Sequence, residues 1–399
     1  TKSSVKQLFI PGMLFENMGL TYLGPVDGHN MRQMMKLFNE AKRVEGPVVV
    51  HVLTKKGRGY EPASAHPDRF HGTGPFDIKT GRVLQKKTVP GYTDVFSKAL
   101  VSLGEKNKKL TAITAAMPDG TGLVEFSRRF PDRFFDVGIA EEHAVSFAAG
   151  LALGGLVPVV AIYSSFLQRA VDQILHDVCM QKLHVIFAVD RAGLVGADGE
   201  THQGCFDLSY LSMMPNMTVL APKNDRELEE MLAFAVSFDG PIAIRYPRGS
   251  AHQGLREYQA PVEYGRSEII RKGKKIAVLG VGSMIPSCME ICKGLKDDGY
   301  DPTFVNARFV KPLDVDLLDE LAKDHSLFVT VEENVKSGGY GEHVSAYMEA
   351  CHPEIRVLSA AVWDRFVPQG NVESLRSRIG LGVEDIRQAI EDSEELREQ

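Results

Sequence analysis

The sequence predicts an α/β protein in which mainly parallel sheets are covered by helices. Between residues 92 and 248, segments with helical periodicity alternate with short apolar runs that are typical of buried strands. After a polar connection at 258–274 the same alternation begins again and continues into an acidic tail. Strands separated by helices pair in parallel, because a helical crossover returns the chain to the same end of the sheet.

Three blocks divide the 399 residues, which are too many for one ordinary hydrophobic core. The first block, predicted at 1–88, holds an amphipathic segment at 31–44 and a strand-like run at 48–53. A polar stretch rich in Gly and Pro follows, and its length favours a functional loop over a plain connection. The second block is predicted at 89–255 and the third at 256–399.

The periodicity predicts the elements of the second and third blocks one by one. In the second block the predicted strands are 110–114, 158–163, 185–189, 217–220 and 243–246, and the predicted helices are 93–103, 141–153, 170–180 and 225–238. In the third block the predicted strands are 275–279, 302–306, 327–332 and 356–358, and the predicted helices are 286–298, one after Pro312, 341–351 and one from 383 onward.

Composition restricts the classes of partner. The formal net charge of −6 argues against nucleic acid or an anionic membrane as the main partner. Segment 144–163 is uncharged over 20 residues, yet Gly154, Gly155 and Pro158 favour a helix followed by an interior strand over a membrane span. The five cysteines show no Cys-x-x-Cys spacing and predict a reducing cytosol. The chain begins at Thr1 without an initiator Met, which indicates a cleavage or a chosen boundary.

Candidate site residues open the apolar helix at 141–153 and follow the end of the strand at 158–163. Glu141 opens the helix, where a carboxyl group near the interior could share a proton with a ligand. Acids in a first helical turn are also ordinary partners of the helix dipole. Tyr163, Phe166 and Arg169 follow the strand at the usual ligand edge of an open α/β sheet, although Phe166 could be core and Arg169 a surface cation.

Two further strand ends carry Arg191 and Arg248, whose guanidinium groups suit phosphate, although both could be surface cations. The Gly-rich segment 196–204 between them holds Asp198 and His202 and allows the backbone to approach a ligand closely. The residues alone therefore predict an α/β enzyme that acts on a small anionic, phosphorylated substrate. They do not name the reaction.

The motifs as a set resemble the 1-deoxy-D-xylulose-5-phosphate synthases, a family of the transketolase superfamily. They occur in that family's order: GIAEEHA at 138–144, YSSFLQRA at 163–170, DRAGLVGADGETHQG at 190–204 and RYPRG at 245–249. The similarity extends to GPVDGH at 24–29, TKKGRGYEP at 54–62, RFVKP at 308–312 and VEEN at 331–334. It covers nearly the whole chain.

The resemblance implies successive three-layer α/β/α domains with mainly parallel sheets. Residues 1–88 would be the carboxy-terminal remnant of a diphosphate-binding domain, 89–255 a pyrimidine-binding domain and 256–399 a transketolase carboxy-terminal domain. The implied cofactors are thiamine diphosphate and Mg²⁺. The Gly-Asp-Gly segment that holds the diphosphate through the metal is not readable in this chain, so we expect the metal ligands in an amino-terminal portion and name none here.

The resemblance also implies roles for particular residues. Glu141 would hydrogen-bond the aminopyrimidine ring of the cofactor, Phe166 would stack on that ring, and Tyr60 would contact the cofactor from the first block. Proton transfer and substrate orientation would fall to His202 and Asp198, and the loop residue His71 resembles an active-site His. Phosphate or carboxylate would be bound by a further group of side chains: Tyr163, Arg169, Arg191 and Arg248.

The implied substrates are pyruvate and glyceraldehyde 3-phosphate, and the implied partners are a second copy of the chain and the amino-terminal portion of the same enzyme. We expect the bacterial cytoplasm rather than a plastid, and an inactive chain when this fragment is alone. Three alternatives remain open: a transketolase, the β-subunit of a 2-oxo-acid dehydrogenase, and a non-catalytic assembly subunit. Glu332, Glu333 and Asn334 are predicted to follow a strand and to have a structural role.

Overall fold

The computed structural model describes residues 13–67, 69–84 and 89–393, and the chain divides into two compact units, Thr1–Thr88 and Val89–Gln399. The expectations for the chain start and for the last residues of the acidic tail lie outside the described residues. Asp68, which precedes the candidate loop residue His71, also lies outside them.

The first unit contains two parallel strands, β1 (Thr21–Asp27) and β2 (Val48–Leu53), which confirms the predicted strand at 48–53. Its helices are Met13–Asn17, Met31–Ala41 and Glu61–Ala65. Helix Met31–Ala41 begins where it does because the side chain of Asn30 accepts a hydrogen bond from the amide of Gln33, satisfying a free N–H of the first turn.

The second unit is built on a seven-stranded sheet of order β12-β7-β8-β6-β5-β3-β4. Its strands are β3 (Leu110–Thr114), β4 (Phe134–Asp136), β5 (Val157–Tyr163), β6 (Ile186–Asp190), β7 (Thr218–Leu220), β8 (Ile242–Tyr246) and β12 (Phe309–Lys311). All neighbours pair in parallel except β12, which runs antiparallel to β7. The predicted mainly parallel α/β fold is confirmed. Strand β12 belongs to the third block by sequence, and the prediction did not place it in this sheet.

Helices cover this sheet: Tyr92–Lys106, Val124–Arg129, Glu141–Leu153, Ser164–Leu167, Val171–Gln173, Asp207–Ser212 and Asp225–Ser237. The uncharged stretch at 144–163 forms the end of helix Glu141–Leu153 and then β5, as predicted. The single helix predicted at 170–180 is wrong in detail, because Ile174–Cys179 is a π-helix that follows a short α-helical turn. Within the described ranges, every helix is too short or too polar to cross a membrane.

The third block forms a five-stranded sheet of order β14-β13-β10-β11-β9. Its strands are β9 (Glu268–Arg271), β10 (Lys275–Gly280), β11 (Thr303–Asn306), β13 (His325–Val335) and β14 (Arg356–Val362), and its helices are Ile285–Asp297, Val315–Ala322, Tyr340–Cys351, Val372–Arg378 and Val383–Glu391. Strand β9 lies in the stretch predicted as a polar connection, which is a correction. β9 pairs antiparallel with β11, and its residues are alternately buried and half-buried. With two isoleucines between two charged residues, it lacks the long apolar run that predicts a buried strand from sequence.

A cluster of buried charges joins the two sheets, and we call it the buried joint. It consists of Lys223, Glu227, Glu268 and Arg308, whose side chains are at most 4% exposed. Both cations contact both carboxylates at 2.6–3.1 Å. A balanced cluster of this kind offsets the desolvation of its members by mutual attraction, and it therefore ties the start of the third block to the second.

Candidate active site

The carboxyl ends of β5, β6 and β8 lie side by side in the larger sheet. The register pairs Tyr163 with Asp190 and Asp190 with Tyr246, so the segments that follow these strands leave the sheet at one edge. Strand β4 runs parallel to β3 and β3 to β5, which brings Glu141, five residues after β4, to the same edge. Ligands bind at this edge in open α/β sheets.

Glu141 is the first residue of helix Glu141–Leu153 and is 1% exposed. Its Oε1 accepts a hydrogen bond of 2.6 Å from Nη1 of Arg169, whereas its Oε2 is buried without any partner. Within the described ranges it is the only buried carboxylate oxygen in that condition. Because an unpaired buried polar atom is costly, Oε2 retains the capacity to accept a hydrogen bond from a donor placed beside it.

Aromatic rings form a wall beside this carboxylate. Phe166 stacks on Tyr163 with ring centroids 5.6 Å apart, and the ring of His202 lies edge-on to Phe166 at 5.4 Å. The guanidinium of Arg169 lies 5.1 Å from the centroid of the Phe166 ring. The wall therefore places two aromatic rings, a guanidinium group and one imidazole side by side.

Arg191 is held in a fixed position against the wall. Its guanidinium lies 3.6 Å from the centroid of the Tyr163 ring, and its Nη1 donates to the carbonyl of Gly120 at 2.9 Å. Its φ of 60° lies in the left-handed region that ordinary residues rarely adopt. This conformation turns the chain sharply at the end of β6, and such outliers often occur at functional sites.

Asp190 is a buried residue under the site, and it was not among the candidates named from the sequence. Its Oδ2 accepts a hydrogen bond of 2.9 Å from Oγ1 of Thr93, and its Oδ1 lies 3.3 Å from Nη1 of Arg191. Burial raises the pKa of Asp190 to about 6, against the opposing effects of Arg191 and Thr93. The sequence feature that could have identified Asp190 is its position as the last residue of an apolar strand.

Gly120 is a second residue that sequence reasoning missed. A Cβ at this position would lie 1.6 Å from the hydroxyl oxygen of Tyr163, so only glycine allows the loop to approach that ring. Burial raises the pKa of Tyr163, and the nearby cations of Arg191 and Arg248 act in the opposite direction. The phenol is therefore a neutral hydrogen-bonding group at physiological pH.

Asp198 and Arg248 form an ion pair of 2.6 Å at the open side of the site, with side chains 34% and 42% exposed. Asp198 lies in the same Gly-rich segment as His202, whose ring contacts Phe166 of the aromatic wall. The structure thus brings together all eight candidate residues of the second unit: Glu141, Tyr163, Phe166, Arg169, Arg191, Asp198, His202 and Arg248.

Tyr60 and His71 lie in the first unit. The hydroxyl of Tyr60 donates to the carbonyl of Ile78 at 2.8 Å, and its ring packs against Phe70 and Phe76. Nδ1 of His71 lies 2.9 Å from Nζ of Lys56. In the part of the chain that the structure describes, no three His, Cys, Asp or Glu side chains are grouped to hold a metal ion.

The acidic segment at 332–334 lies inside β13 rather than after a strand, which corrects its predicted position. Glu332 accepts hydrogen bonds from the amides of Tyr340 and Gly341 at the start of a helix, and burial raises its pKa to about 7 against those bonds. Glu333 pairs with Arg376 at 2.7 Å. The two carboxylates are thus bonded to a helix start and to an arginine of the same fold, and the structural role of the segment stays a prediction.

Three family models match successive parts of the sequence. Residues 89–253 match the transketolase pyrimidine binding domain, 265–386 the transketolase C-terminal domain, and 1–54 the 1-deoxy-D-xylulose-5-phosphate synthase model. Among solved structures, a chain described as a split gene transketolase, inactive beta4 tetramer, is 30% identical with a TM-score of 0.68, over 77% of this chain and 98% of that one. A transketolase from Campylobacter jejuni, 16% identical with a TM-score of 0.64 over 97% and 70% of the two chains, shows the fold alone.

The fold and the sheet-edge site thus define a chain of the transketolase class. A 1-deoxy-D-xylulose-5-phosphate synthase from Lachnoclostridium phytofermentans is 54% identical over 97% of this chain, and one from Natranaerobius thermophilus is 51% identical over 96%. This chain belongs to the 1-deoxy-D-xylulose-5-phosphate synthase family. It spans about 62% of the length of these relatives.

Proposed function

We propose that this chain carries the larger part of a thiamine-diphosphate enzyme that condenses pyruvate with D-glyceraldehyde 3-phosphate, giving 1-deoxy-D-xylulose 5-phosphate and CO₂. That product would feed the non-mevalonate isoprenoid pathway and thiamine and pyridoxol synthesis. The observation that carries the proposal is the unpaired Oε2 of buried Glu141 beside the aromatic wall. The 54% identity to a relative named for this reaction supports it.

The residues of the second unit fit the pyrimidine end of thiamine diphosphate. Oε2 of Glu141 would accept a hydrogen bond from the ring, and Phe166 would supply its flat contact surface, while Tyr60 is proposed to contact the cofactor from the first unit. Arg169 already pairs with Oε1 and would hold the carboxylate in place, so that Oε2 is presented to the ring. When bound, the cofactor supplies the carbanion chemistry of decarboxylation and carbon–carbon bond formation.

The cations of the site would bind the anionic substrates. Arg191 is fixed against Tyr163 and so presents its guanidinium with little loss of side-chain entropy, which suits a phosphate or carboxylate. Arg248 and Arg169 lie half exposed and would complete the binding of charge. His202 and Asp198 are the proposed groups for proton transfer and substrate orientation, together with His71 of the first unit.

The proposed domains are a diphosphate-domain remnant at 1–88, a pyrimidine-binding domain at 89–255 and a carboxy-terminal domain at 256–399. The diphosphate and its Mg²⁺ would be held by residues of an amino-terminal portion outside this chain. The relatives come from bacteria, which supports a place in the bacterial cytoplasm, and we expect a homodimer. The similar split-gene chain is described as inactive, which supports an inactive chain when this portion is alone.

The test is to supply this chain with the amino-terminal part of the Lachnoclostridium relative, thiamine diphosphate and Mg²⁺, and to measure both products. We expect CO₂ release from pyruvate to depend on glyceraldehyde 3-phosphate and to yield the five-carbon ketose phosphate. Glu141→Gln should reduce kcat at least about 100-fold because it removes a charged acceptor at the pyrimidine. Its matched control is Glu142→Gln, the exposed neighbour, which should retain activity.

A different product pattern would contradict the proposal. Transfer of a two-carbon unit from a ketose phosphate without CO₂ release would indicate a transketolase. Equal effects of the two glutamate substitutions on kcat would contradict the proposed role of Glu141 in the cofactor site. Absence of cofactor binding in the supplied enzyme would favour a non-catalytic assembly subunit.

A further inference from the structure

The loop that carries Asp198 and His202 is closed at its base. We call residues 193–204 the site loop. Gly193 and Gly204 exchange two backbone hydrogen bonds, each of 2.7 Å, so the two ends of the loop are clamped together. The amide of His202 donates to the carbonyl of Gly199 within the loop. The loop is therefore an ordered unit whose position depends on what its interior contacts.

Gln203 fills the interior of the site loop and is 3% exposed. Its Oε1 accepts from the amides of Val195 at 2.8 Å and Gly196 at 3.4 Å. Its Nε2 donates to the carbonyls of Pro368 at 3.1 Å and Val367 at 3.5 Å. One amide side chain thus bonds the start of the loop on one side and the third block on the other.

The same segment of the third block makes two further contacts with the site loop. The amide of Gly370 donates to the carbonyl of Gly196 at 3.3 Å, and Nε2 of Gln369 donates to the carbonyl of Ala197 at 3.2 Å. A Cβ at Gly196 would lie 2.7 Å from the carbonyl oxygen of Gly370, so the two backbones approach as closely as glycine allows. We call residues 367–370 the anchor segment.

We propose that Gln203 is a positioning residue which, with the anchor segment, fixes the site loop and so sets where Asp198 and His202 stand. The third block then takes part in the active site instead of serving only dimerisation and structure. The role of the loop in the reaction rests on the proposed function. The positioning of the loop by Gln203 and the anchor segment is independent of the proposed function.

The experiment is amide hydrogen–deuterium exchange on this chain, followed by mass spectrometry of peptides from the site loop. Gln203→Met keeps a side chain of similar length without its hydrogen bonds, and exchange across 194–202 should accelerate about tenfold. Gln369→Ala removes one hydrogen bond from an exposed side chain, and the acceleration should be about threefold. The matched control is Gln259→Met, an exposed glutamine that donates to the carbonyl of Arg256, and this substitution should leave the site loop unchanged.

In the enzyme supplied with its amino-terminal part, Gln203→Met and Gln369→Ala should lower kcat more than they raise KM for glyceraldehyde 3-phosphate. If the two glutamines had a purely structural role, the substitutions would lower the melting temperature without lowering kcat more than they raise KM. Unchanged exchange of the site loop in both variants overturns the inference, and if Gln203→Met does not fold, Gln369→Ala decides alone. Faster exchange in a protein whose parent shows no synthase activity would refute the proposed reaction but not the positioning.

Discussion

The two charged clusters of the second unit differ in how completely their charges are paired. In the buried joint, each of four charged side chains contacts both groups of opposite sign within 3.1 Å. At the sheet edge, Arg169 and Arg248 are 49% and 42% exposed, and Oε2 of Glu141 has no partner. Every charge of the joint has close partners of opposite sign, whereas at the edge one carboxylate oxygen is unpaired and two cations are half exposed. Burial of charge alone therefore does not distinguish a candidate ligand site; the proposed site differs in combining an unpaired buried oxygen with accessible cations.

The strongest test of this comparison is Arg308→Met in the buried joint. Two buried carboxylates would then have Lys223 as the remaining cation of the joint, and we expect a loss of about 3–5 kcal/mol in the free energy of unfolding, measured by urea denaturation. Arg226→Met is the matched control, because Arg226 pairs with Glu230 at 3.0 Å on the surface. The control should cost less than about 1 kcal/mol. Equal losses of unfolding free energy in the two variants would show that the buried joint contributes no more to stability than a surface ion pair.

Asp190→Asn tests a buried carboxyl group under the sheet edge. The folded-state pKa of about 6 lies above the ordinary value of 3.8, so the folded protein binds this proton more tightly than the unfolded chain does. The parent should therefore lose stability as the pH rises from about 4 to about 6. The loss relative to Asp190→Asn should approach about 3 kcal/mol above that range. Urea denaturation of both proteins at pH 4 and pH 7 measures it, and a pH-independent difference would contradict the assignment.

Gly120→Ala tests how tightly the loop after β3 approaches the aromatic wall. The added methyl group would overlap the Tyr163 hydroxyl, and we expect a cost of about 1–3 kcal/mol in unfolding free energy. Adding Tyr163→Phe removes the nearest atom and should recover about 1 kcal/mol in a double-mutant cycle. Gly150→Ala, in a helix with open space around it, should change stability by less than about 1 kcal/mol. If the stability changes of Gly120→Ala and Tyr163→Phe are strictly additive, the added methyl group does not contact the Tyr163 hydroxyl.

Arg248→Met and Asp198→Asn should have the smallest effect on stability, below about 1 kcal/mol each, because this ion pair is partly exposed. In the active enzyme Arg248→Met should nevertheless raise KM for glyceraldehyde 3-phosphate about tenfold or more, through loss of a charged hydrogen bond. Unfolding and steady-state kinetics on the same variants separate the two effects. A large stability loss would place this pair with the buried joint instead.

Much of the fold follows from local patterns in the sequence. Strong apolar runs predicted β3, β5, β6 and β8, and because consecutive parallel strands end at one edge, the candidate residues after them could be grouped in advance. The strands that the sequence did not predict are β1, β4, β9 and β12. β9 and β12 lack a long apolar run, and both are antiparallel additions whose place depends on a distant neighbour. The π-helix at Ile174–Cys179 likewise leaves no local signature in the sequence.

The candidate residues of the second unit could be named from sequence because each follows a recognisable strand end or opens an apolar helix. Asp190 and Gly120 were missed because their importance lies in what they touch. Asp190 is significant through Thr93, which is 97 residues away in sequence, and Gly120 through its contact with Tyr163. No spacing rule connects such pairs, since the fold alone brings them together.

Periodicity and residues adjacent in the chain were enough to predict the α/β class, the order of most elements and the motifs that identify the family. Tertiary structure alone decided that Oε2 of Glu141 is unpaired, that β12 completes the sheet of another block, and that Gln203 bonds the third block. Each of these depends on groups far apart in sequence. Hydrogen bonding and burial are properties of the surroundings that a side chain acquires only when the chain has folded.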